Sequence, residues 1–509
     1  MSVKVDNIRK ALDEAVASSA VKQHQKGRMS FHERIGMLVD SGSFQEIGAF
    51  VGNLGSGDAA DIPRDAVMTG FALVGGKRVV VASQDFSQKG GTLGLMHSRK
   101  IVRAMDLAVR AKCPFVFIGD SGGARIQEGV DALAGFGDIF NANVHASGVI
   151  PQIAVILGPC AGGAVYSPAL MDFTFMVDKT SYMFVTGPKV VRDVTGEEVS
   201  TEDLGGARVH SFESGASSFY CEDEESCFAE VRKLLSYICD ASAAQRCVAL
   251  ASESEAEGMR TPNIRDIIPD TMKKPYDVRR IVGEIADGGE YLEIFRNFAL
   301  NIFTGFARID GRTVGIVANN PSFLAGTLDI NSSCKAARFI RFCDCYGIPL
   351  VTLVDVPGYM PGSKSEHDGI IRHGAKMLYA YSESTVPKIT LIMRKAFGGA
   401  YIAMCSKHLG ADIVYAYPDA QIAVMGAEGA VDVLYSKEIK SSSEPDKLRE
   451  ERIAEYSEAF MNPVAASRKG YVDEIIDMRD TRVRIVNALR MLSSADSEKS
   501  VRKHGNMPL

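Results

Sequence analysis

The chain has 509 residues, of which 46% are hydrophobic and 24% charged, so disorder over most of its length is excluded. The net charge of −6 leaves no basic surface of the kind that nucleic-acid binding needs, and no apolar run is long enough to predict a membrane-spanning helix. Ten cysteines without a CxxC pair argue against a zinc site and predict a cytoplasmic protein with reduced thiols.

The predicted elements begin with helix. Residues 6–37 mix charges with spaced apolar positions, which is typical of helices, and the pattern ends near Asp40. From about Val67, short β-branched runs alternate with helical stretches such as residues 100–112. This alternation predicts an α/β fold with a largely parallel, buried sheet. The runs predicted as strands include residues 78–81, 115–118 and 153–157.

Two segments interrupt this alternation. Residues 251–265 contain few apolar side chains, which predicts a linker, and the strand–helix pattern restarts after them. Residues 436–452 are highly charged and predict an exposed loop and helix.

The second half of the chain repeats the first at a nearly constant offset. From Gly91 the offset is 235 residues, and it becomes 236 before Gly162, which matches Gly398. Such a sustained repeat predicts a duplicated domain. The pairs 235 residues apart include Lys100 and Lys335, Pro114 and Pro349, Asp120 and Asp355, and Gly123 and Gly358.

Each half carries the same two glycine motifs. The first is an apolar strand that runs into Asp and glycine, in residues 117–125 and 353–359. The second is a strand and turn that lead into Gly-Gly-Ala at a helix start, in residues 155–164 and 391–400. Glycine lets a ligand approach the backbone, and the first amides of a helix can form an oxyanion hole. Packing of small residues is the alternative, which the repetition disfavours.

Other chemistries have weaker support. Residues 119–123 spell GDSGG, which also fits G-x-S-x-G, but the chymotrypsin-like proteases with that motif are all-β. The sequence has no P-loop, and no G-x-G-x-x-G follows the first strand, so phosphate-loop binding has no support and dinucleotide binding has little. A histidine placed like His373 is more often a structural hydrogen-bonding residue than a base. Oxyanion holes without an evident nucleophile or metal indicate enolate chemistry on coenzyme A thioesters.

Several long motifs resemble those of the biotin-dependent acyl-CoA carboxyltransferases. That family includes the β subunits of propionyl-CoA and acyl-CoA carboxylases, the transcarboxylase core and the α subunits of methylmalonyl-CoA decarboxylases. The resemblance runs from about Gln23 to the terminal residues 503–509. The motifs that carry it are residues 120–129, 158–168, 339–344, 355–359 and 394–401.

The resemblance implies two duplicated crotonase/ClpP-like domains, each a ββα spiral. Residues 1–255 would form the acyl-CoA side and residues 263–500 the biotin side. It implies a homo-hexamer, a trimer of dimers, in which each site lies between two subunits. Because the sequence shows neither an ATP-grasp signature nor a biotinyl-lysine motif, biotin and ATP use must come from partners. These would be a biotin carboxyl carrier protein and biotin carboxylase, or membrane decarboxylase subunits.

The resemblance also assigns site residues, and it requires no metal and no protein base, because biotin takes the α-proton and the enolate attacks CO₂. The thioester oxygen would be held by Gly162 and Gly163, with Gly123 and Ala124 nearby. The ureido oxygen of biotin would be held by Gly399 and Ala400, with Gly358 nearby, and Gly398, Tyr401 and Ile402 would contact biotin or set acyl size.

The resemblance leaves the direction of reaction open among carboxylase, sodium-pumping decarboxylase and transcarboxylase. A short acyl chain is expected, with propionyl-CoA and methylmalonyl-CoA preferred. A biotin-independent crotonase-like hydratase or hydrolase is the alternative from another class. One departure from the family pattern is Cys334, at a position where the family usually has aspartate.

Overall fold

The computed structural model describes residues 3–52, 63–239, 249–494 and 504–508, which form two compact units divided after Cys239. The described residues of each unit build one eight-stranded sheet. The strands of the first unit are β1 (Gln45–Ile47), β2 (Val67–Val74), β3 (Lys77–Gln84), β4 (Phe115–Ser121), β5 (Gln152–Ala161), β6 (Phe173–Val177), β7 (Tyr182–Phe184) and β8 (Phe219–Cys221).

Helices complete the first unit. Their packing against the sheet forms a core that includes Ile101, Phe115 and Phe136. The helices are α1 (Val3–His24), α2 (Phe31–Leu38), α3 (Leu95–Ala111), α4 (Val130–Ala146), α5 (Tyr166–Leu170), α6 (Pro188–Thr195), α7 (Thr201–Gly205), α8 (Ala207–Phe212) and α9 (Glu224–Ile238).

The second unit has its own sheet and its own core, which includes Phe303, Val351 and Leu391. Its strands are β9 (Tyr291–Glu293), β10 (Ile302–Ile309), β11 (Arg312–Asn319), β12 (Leu350–Val356), β13 (Lys388–Phe397), β14 (Ile413–Ala416), β15 (Gln421–Ala423) and β16 (Glu474–Ile475). Its helices are α10 (Glu253–Gly258), α11 (Ile264–Ile267), α12 (Arg279–Ile285), α13 (Ile330–Cys345), α14 (Ser363–His367), α15 (Ile370–Glu383), α16 (Gly398–Ala403), α17 (Ala427–Leu434), α18 (Ser436–Ser441), α19 (Pro445–Phe460), α20 (Pro463–Ser467) and α21 (Thr481–Met491).

The two sheets have the same topology. The first runs β1-β2-β3-β4-β5-β6-β8 with β7 also paired to β5, and the second runs β9-β10-β11-β12-β13-β14-β16 with β15 paired to β13. In each, an antiparallel edge of three strands is followed by parallel strands. The central strands β4 and β12 are buried along their whole length, as expected for parallel strands covered on both faces. The predicted duplicated α/β fold is therefore confirmed.

The structure agrees with the predicted strands and corrects two local predictions. The helical stretch 6–37 is broken, because Gly27 adopts φ +69° and Ser30 starts a new helix through a capping box with Glu33. The predicted linker 251–265 contains α10 and the start of α11, and Ile264 is fully buried. The predicted domain limits at 255 and 263 stay a prediction.

The charged segment 436–452 matches its prediction. It forms α18 and the start of α19, and neither helix buries a residue. Within the described ranges, no helix is both long and apolar enough to cross a membrane.

Candidate active site

The site is built around a buried aspartate at the same point of each sheet. Asp120 on β4 and Asp355 on β12 are both fully buried. Opposite each, the neighbouring strand bulges, so that one residue of β4 or β12 faces three residues of β5 or β13. A bulge redirects a strand and is common next to functional sites. Beyond the bulge, β5 and β13 lead directly into the two Gly-Gly-Ala turns.

In the first unit, distant arginines neutralise the buried aspartate. Arg28 lies 2.5 Å and Arg34 2.8 Å from Oδ2 of Asp120, and Arg34 also binds Glu224 at 2.7 Å. Burial raises the pKa of Asp120, and the two arginines act against that rise. Only glycine fits at position 158, because a Cβ there would collide with Oδ1 of Asp120.

In the second unit, the cation that pairs with the buried aspartate comes from the neighbouring strand, β13. Arg394 takes the place of Gly158 at the 236-residue offset, and its Nε lies 2.8 Å from Oδ2 of Asp355. Its guanidinium also covers the ring of Tyr276 at 4.7 Å. Lys395 donates its backbone N–H to Oδ1 of Asp355 at 3.2 Å, so this carboxylate fixes the bulge directly.

Equivalent amide side chains hold the backbone of both aspartates. The N–H of Asp120 donates to Oε1 of Gln84 at 3.0 Å, and the N–H of Asp355 donates to Oδ1 of Asn319 at 3.2 Å. The duplication therefore extends to the hydrogen bonds that fix the strand ends.

The two Gly-Gly-Ala turns have the same backbone conformation. Gly162 has φ +62° and Gly398 has φ +59°, a left-handed conformation that glycine adopts without strain. The preceding residues, Ala161 and Phe397, are extended and offer no side-chain cap. The first amides of each turn therefore have no intrahelical acceptor and no cap from the preceding side chain.

The second glycine of each turn differs in its surroundings. A Cβ on Gly163 would meet the ring of Phe136 at 3.0 Å, whereas a Cβ on Gly399 would meet no heavy atom within 4 Å. Gly399 is exposed, while Ala164 and Ala400 are buried. The turn of the second unit is thus open on the face where Gly399 lies, and the first turn is closed there by Phe136.

The glycine three residues after each aspartate accepts an equivalent backbone hydrogen bond. The carbonyl of Gly123 accepts the N–H of Leu93 at 2.9 Å, and the carbonyl of Gly358 accepts the N–H of Leu328 at 3.0 Å. A Cβ on Gly123 would lie 2.9 Å from the carbonyl oxygen of Ala161, directly before the first Gly-Gly-Ala turn. Gly123 is thus packed against that turn.

The remaining predicted residues lie beside these elements. Ala124 follows Gly123 and pairs with Leu93 in an isolated parallel bridge. Tyr401 is half-buried, and burial raises the pKa of its hydroxyl. Ile402 is exposed at the surface of α16, where an apolar ligand can contact it.

The GDSGG segment does not have the geometry of an exposed nucleophile. Ser121 is buried at the end of β4, and its Oγ accepts the N–H of Gly123 at 3.2 Å. Sequence reasoning missed Arg28, Arg34 and Glu224, which no local motif marks. Arg28 and Arg34 reach Asp120, and Glu224 reaches Arg34, only in the folded chain.

The comparisons with known proteins agree with this architecture. The model of the carboxyl transferase domain family matches residues 22–507. The chain is 48% identical over 514 residues to methylmalonyl-CoA decarboxylase subunit alpha of Propionigenium modestum, covering 99% of each chain. It is 50% identical over 505 residues to the propionyl-CoA carboxylase beta chain of Saccharopolyspora erythraea, covering 96% of this chain and 92% of that one.

A solved structure extends the comparison to three dimensions. Transcarboxylase 12S, described as a hexamer with methylmalonyl-coenzyme A bound, superposes with a TM-score of 0.94 at 48% identity. The superposition covers 100% of this chain and 99% of that chain. It confirms the duplicated crotonase-type fold.

Proposed function

The chain belongs to the carboxyl transferase domain family, and from this premise we propose that it is the carboxyltransferase subunit of a biotin-dependent enzyme. It moves a carboxyl group between biotin on a separate carrier protein and a short acyl-CoA, with propionyl-CoA and methylmalonyl-CoA preferred. The second candidate is the same chemistry in a decarboxylase or transcarboxylase, because relatives with those names are 48% identical.

The observation that carries this proposal is the pair of equivalent Gly-Gly-Ala turns, one in each unit. Two different oxygens must be stabilised in this chemistry, the enolate oxygen of the thioester and the ureido oxygen of biotin. Open space above Gly399 fits the approach of a biotin ring, since a Cβ there would have no neighbour within 4 Å. A hydrolase with one oxyanion site has no need of the second turn.

Biotin, when bound, supplies the carboxyl group and the nitrogen that takes the α-proton. The chain supplies backbone donors: the amides of Gly162 and Gly163 hold the thioester oxygen as charge develops on it, and those of Gly399 and Ala400 hold the ureido oxygen. Preorganised amides of this kind lower the barrier because they need no reorientation during reaction. The buried aspartates act indirectly, by fixing the strands that lead into the turns. Asp355 accepts an N–H of β13 itself, whereas Asp120 holds Arg28 and Arg34, which donate to the carbonyl of Leu157 on β5.

The purified chain is expected to depend on its partners. It should not carboxylate propionyl-CoA with ATP and bicarbonate, because the sequence shows no ATP-grasp signature and no biotinyl-lysine motif. It should slowly decarboxylate methylmalonyl-CoA when free biotin is added. Release of ¹⁴CO₂ with and without biotin measures this, and equal turnover without biotin would favour the hydratase or hydrolase alternative.

The chain is expected to assemble into a hexamer, a trimer of dimers, near six times the 54.9 kDa chain mass. Closed symmetry is the rule for soluble homo-oligomers, and transcarboxylase 12S is described as a hexamer. Sedimentation equilibrium measures the mass, and a monomer with full activity would contradict the assembly. We place the protein in the cytoplasm, in keeping with the nine described cysteines, which are all free thiols.

A further inference from the structure

A cluster of reactive side chains lies between two helices of the second unit. Sγ of Cys334 on α13 lies 3.3 Å from Nδ1 of His373 on α15. Nζ of Lys376, one turn further along α15, lies 3.7 Å from the same sulfur. Cys334 is half-buried, so that a small reagent can reach it. The proposed carboxyl transfer uses none of these three side chains.

The orientation of His373 follows from its other neighbour. The guanidinium of Arg372 contacts Nε2 of His373 at 3.3 Å, and a guanidinium can only donate hydrogen bonds. Nε2 is therefore the acceptor, which leaves the proton of the neutral imidazole on Nδ1, directed at the sulfur. Burial, with the charges of Lys376 and Arg372, lowers the pKa of His373, which keeps the ring neutral at pH 7.

The sulfur of Cys334 thus faces two hydrogen-bond donors, one of which is a cation. Cysteines that react as nucleophiles lie in such surroundings, beside hydrogen-bond donors and cationic side chains. Cys160 and Cys405, by contrast, are buried. Burial raises the pKa of both thiols to about 12, which makes them inert.

We propose that Cys334 is a nucleophilic modification site that reacts with hydroperoxides to form a sulfenic acid, assisted by His373 and Lys376. The thiolate attacks the terminal peroxide oxygen, an S–O bond forms and the O–O bond breaks. The leaving alkoxide, or hydroxide when the oxidant is hydrogen peroxide, is protonated by a buffer acid of the solvent. Sulfur loses two electrons, and the peroxide is reduced. A small thiol can then convert the sulfenic acid to a mixed disulfide with loss of water.

The test is oxidation of the full-length protein by hydrogen peroxide at pH 7 in the presence of dimedone, followed by peptide mass spectrometry. Cys334 should be labelled about tenfold or more faster than the exposed Cys345, because its sulfur lies beside the hydrogen-bond donor His373 and the cation of Lys376. His373→Gln and Lys376→Gln should each slow labelling of Cys334, by up to about tenfold. Replacing the exposed His367 with glutamine is the matched control and should leave the rate unchanged.

Labelling of Cys334 no faster than that of Cys345 would overturn the proposal. So would unchanged labelling in both variants, provided that their thermal melts match the wild type. Because two separate variants test the same sulfur, misfolding of one leaves the other as a test. The readout needs neither acyl-CoA nor biotin, so its result is independent of the proposed carboxyl transfer.

Discussion

Replacing Gly399 with valine is expected to lower carboxyl-transfer turnover by about 10²–10³-fold, the usual loss for one oxyanion donor. A valine at this position fills open space, because no heavy atom lies within 4 Å of the Cβ position. That space is where we propose that biotin approaches the amides of the turn. The folded protein should therefore remain stable while biotin handling fails. Steady-state kinetics with the biotin carrier, together with a thermal melt, measure both effects.

Two other glycines provide the comparison. Gly258→Val places the same side chain at an exposed helix end with no neighbour within 4 Å, and it should change neither activity nor stability. Gly163→Val should weaken acyl-CoA handling, but it also drives a side chain into the ring of Phe136 and so lowers stability. If Gly399→Val abolishes CoA-ester binding and leaves biotin binding intact, the assignment of the two units is wrong.

Replacing Arg34 with methionine is expected to destabilise the protein by about 3–5 kcal/mol, the usual cost of removing one partner from a buried ion pair. The side chain is 1% exposed and lies between Asp120 and Glu224. Without it, Glu224 loses the arginine that binds it, and Asp120 keeps Arg28 but loses its second arginine. Urea denaturation of the variant and the wild type measures the difference in free energy of unfolding.

The same substitution on the surface is the control. Arg449 binds Asp432 through two hydrogen bonds but is 37% exposed, so Arg449→Met should cost no more than about 1 kcal/mol. Comparable losses of unfolding free energy in the two variants would show that the buried ion pairs of Arg34 stabilise the protein no more than the exposed pair of Arg449.

The deficit of Arg34→Met should also depend on pH. Burial already raises the pKa of Asp120, and loss of a neighbouring cation raises it further. A carboxyl group whose pKa is higher in the folded than in the unfolded state stabilises the fold as it takes up a proton. The deficit relative to wild type should therefore shrink as the pH falls below neutrality, and a deficit that stays constant would contradict this cause.

Much of the fold and of the candidate site could be predicted from the sequence, because both depend on local sequence motifs that occur in each half of the chain. The constant offset between Asp120 and Asp355, and between Gly162 and Gly398, predicts two copies of one fold. β-branched runs ending in glycine locate the strand ends, since backbone conformation and strand burial depend on residues close in sequence. The long motifs around these glycines then indicate the carboxyltransferase family before any coordinate is known.

Only the tertiary structure decided which residues support those turns. Arg34 and Glu224 are 190 residues apart, yet they meet at Asp120 because a buried carboxylate requires partners from wherever the fold can deliver them. The two Gly-Gly-Ala motifs are identical in sequence but differ in packing. Phe136 lies against Gly163, whereas the space beside Gly399 is open, and the motif itself does not predict this difference. Cys334 and His373 likewise come together only when α13 lies against α15. Local sequence sets backbone conformation, whereas the neighbours of a side chain depend on long-range packing.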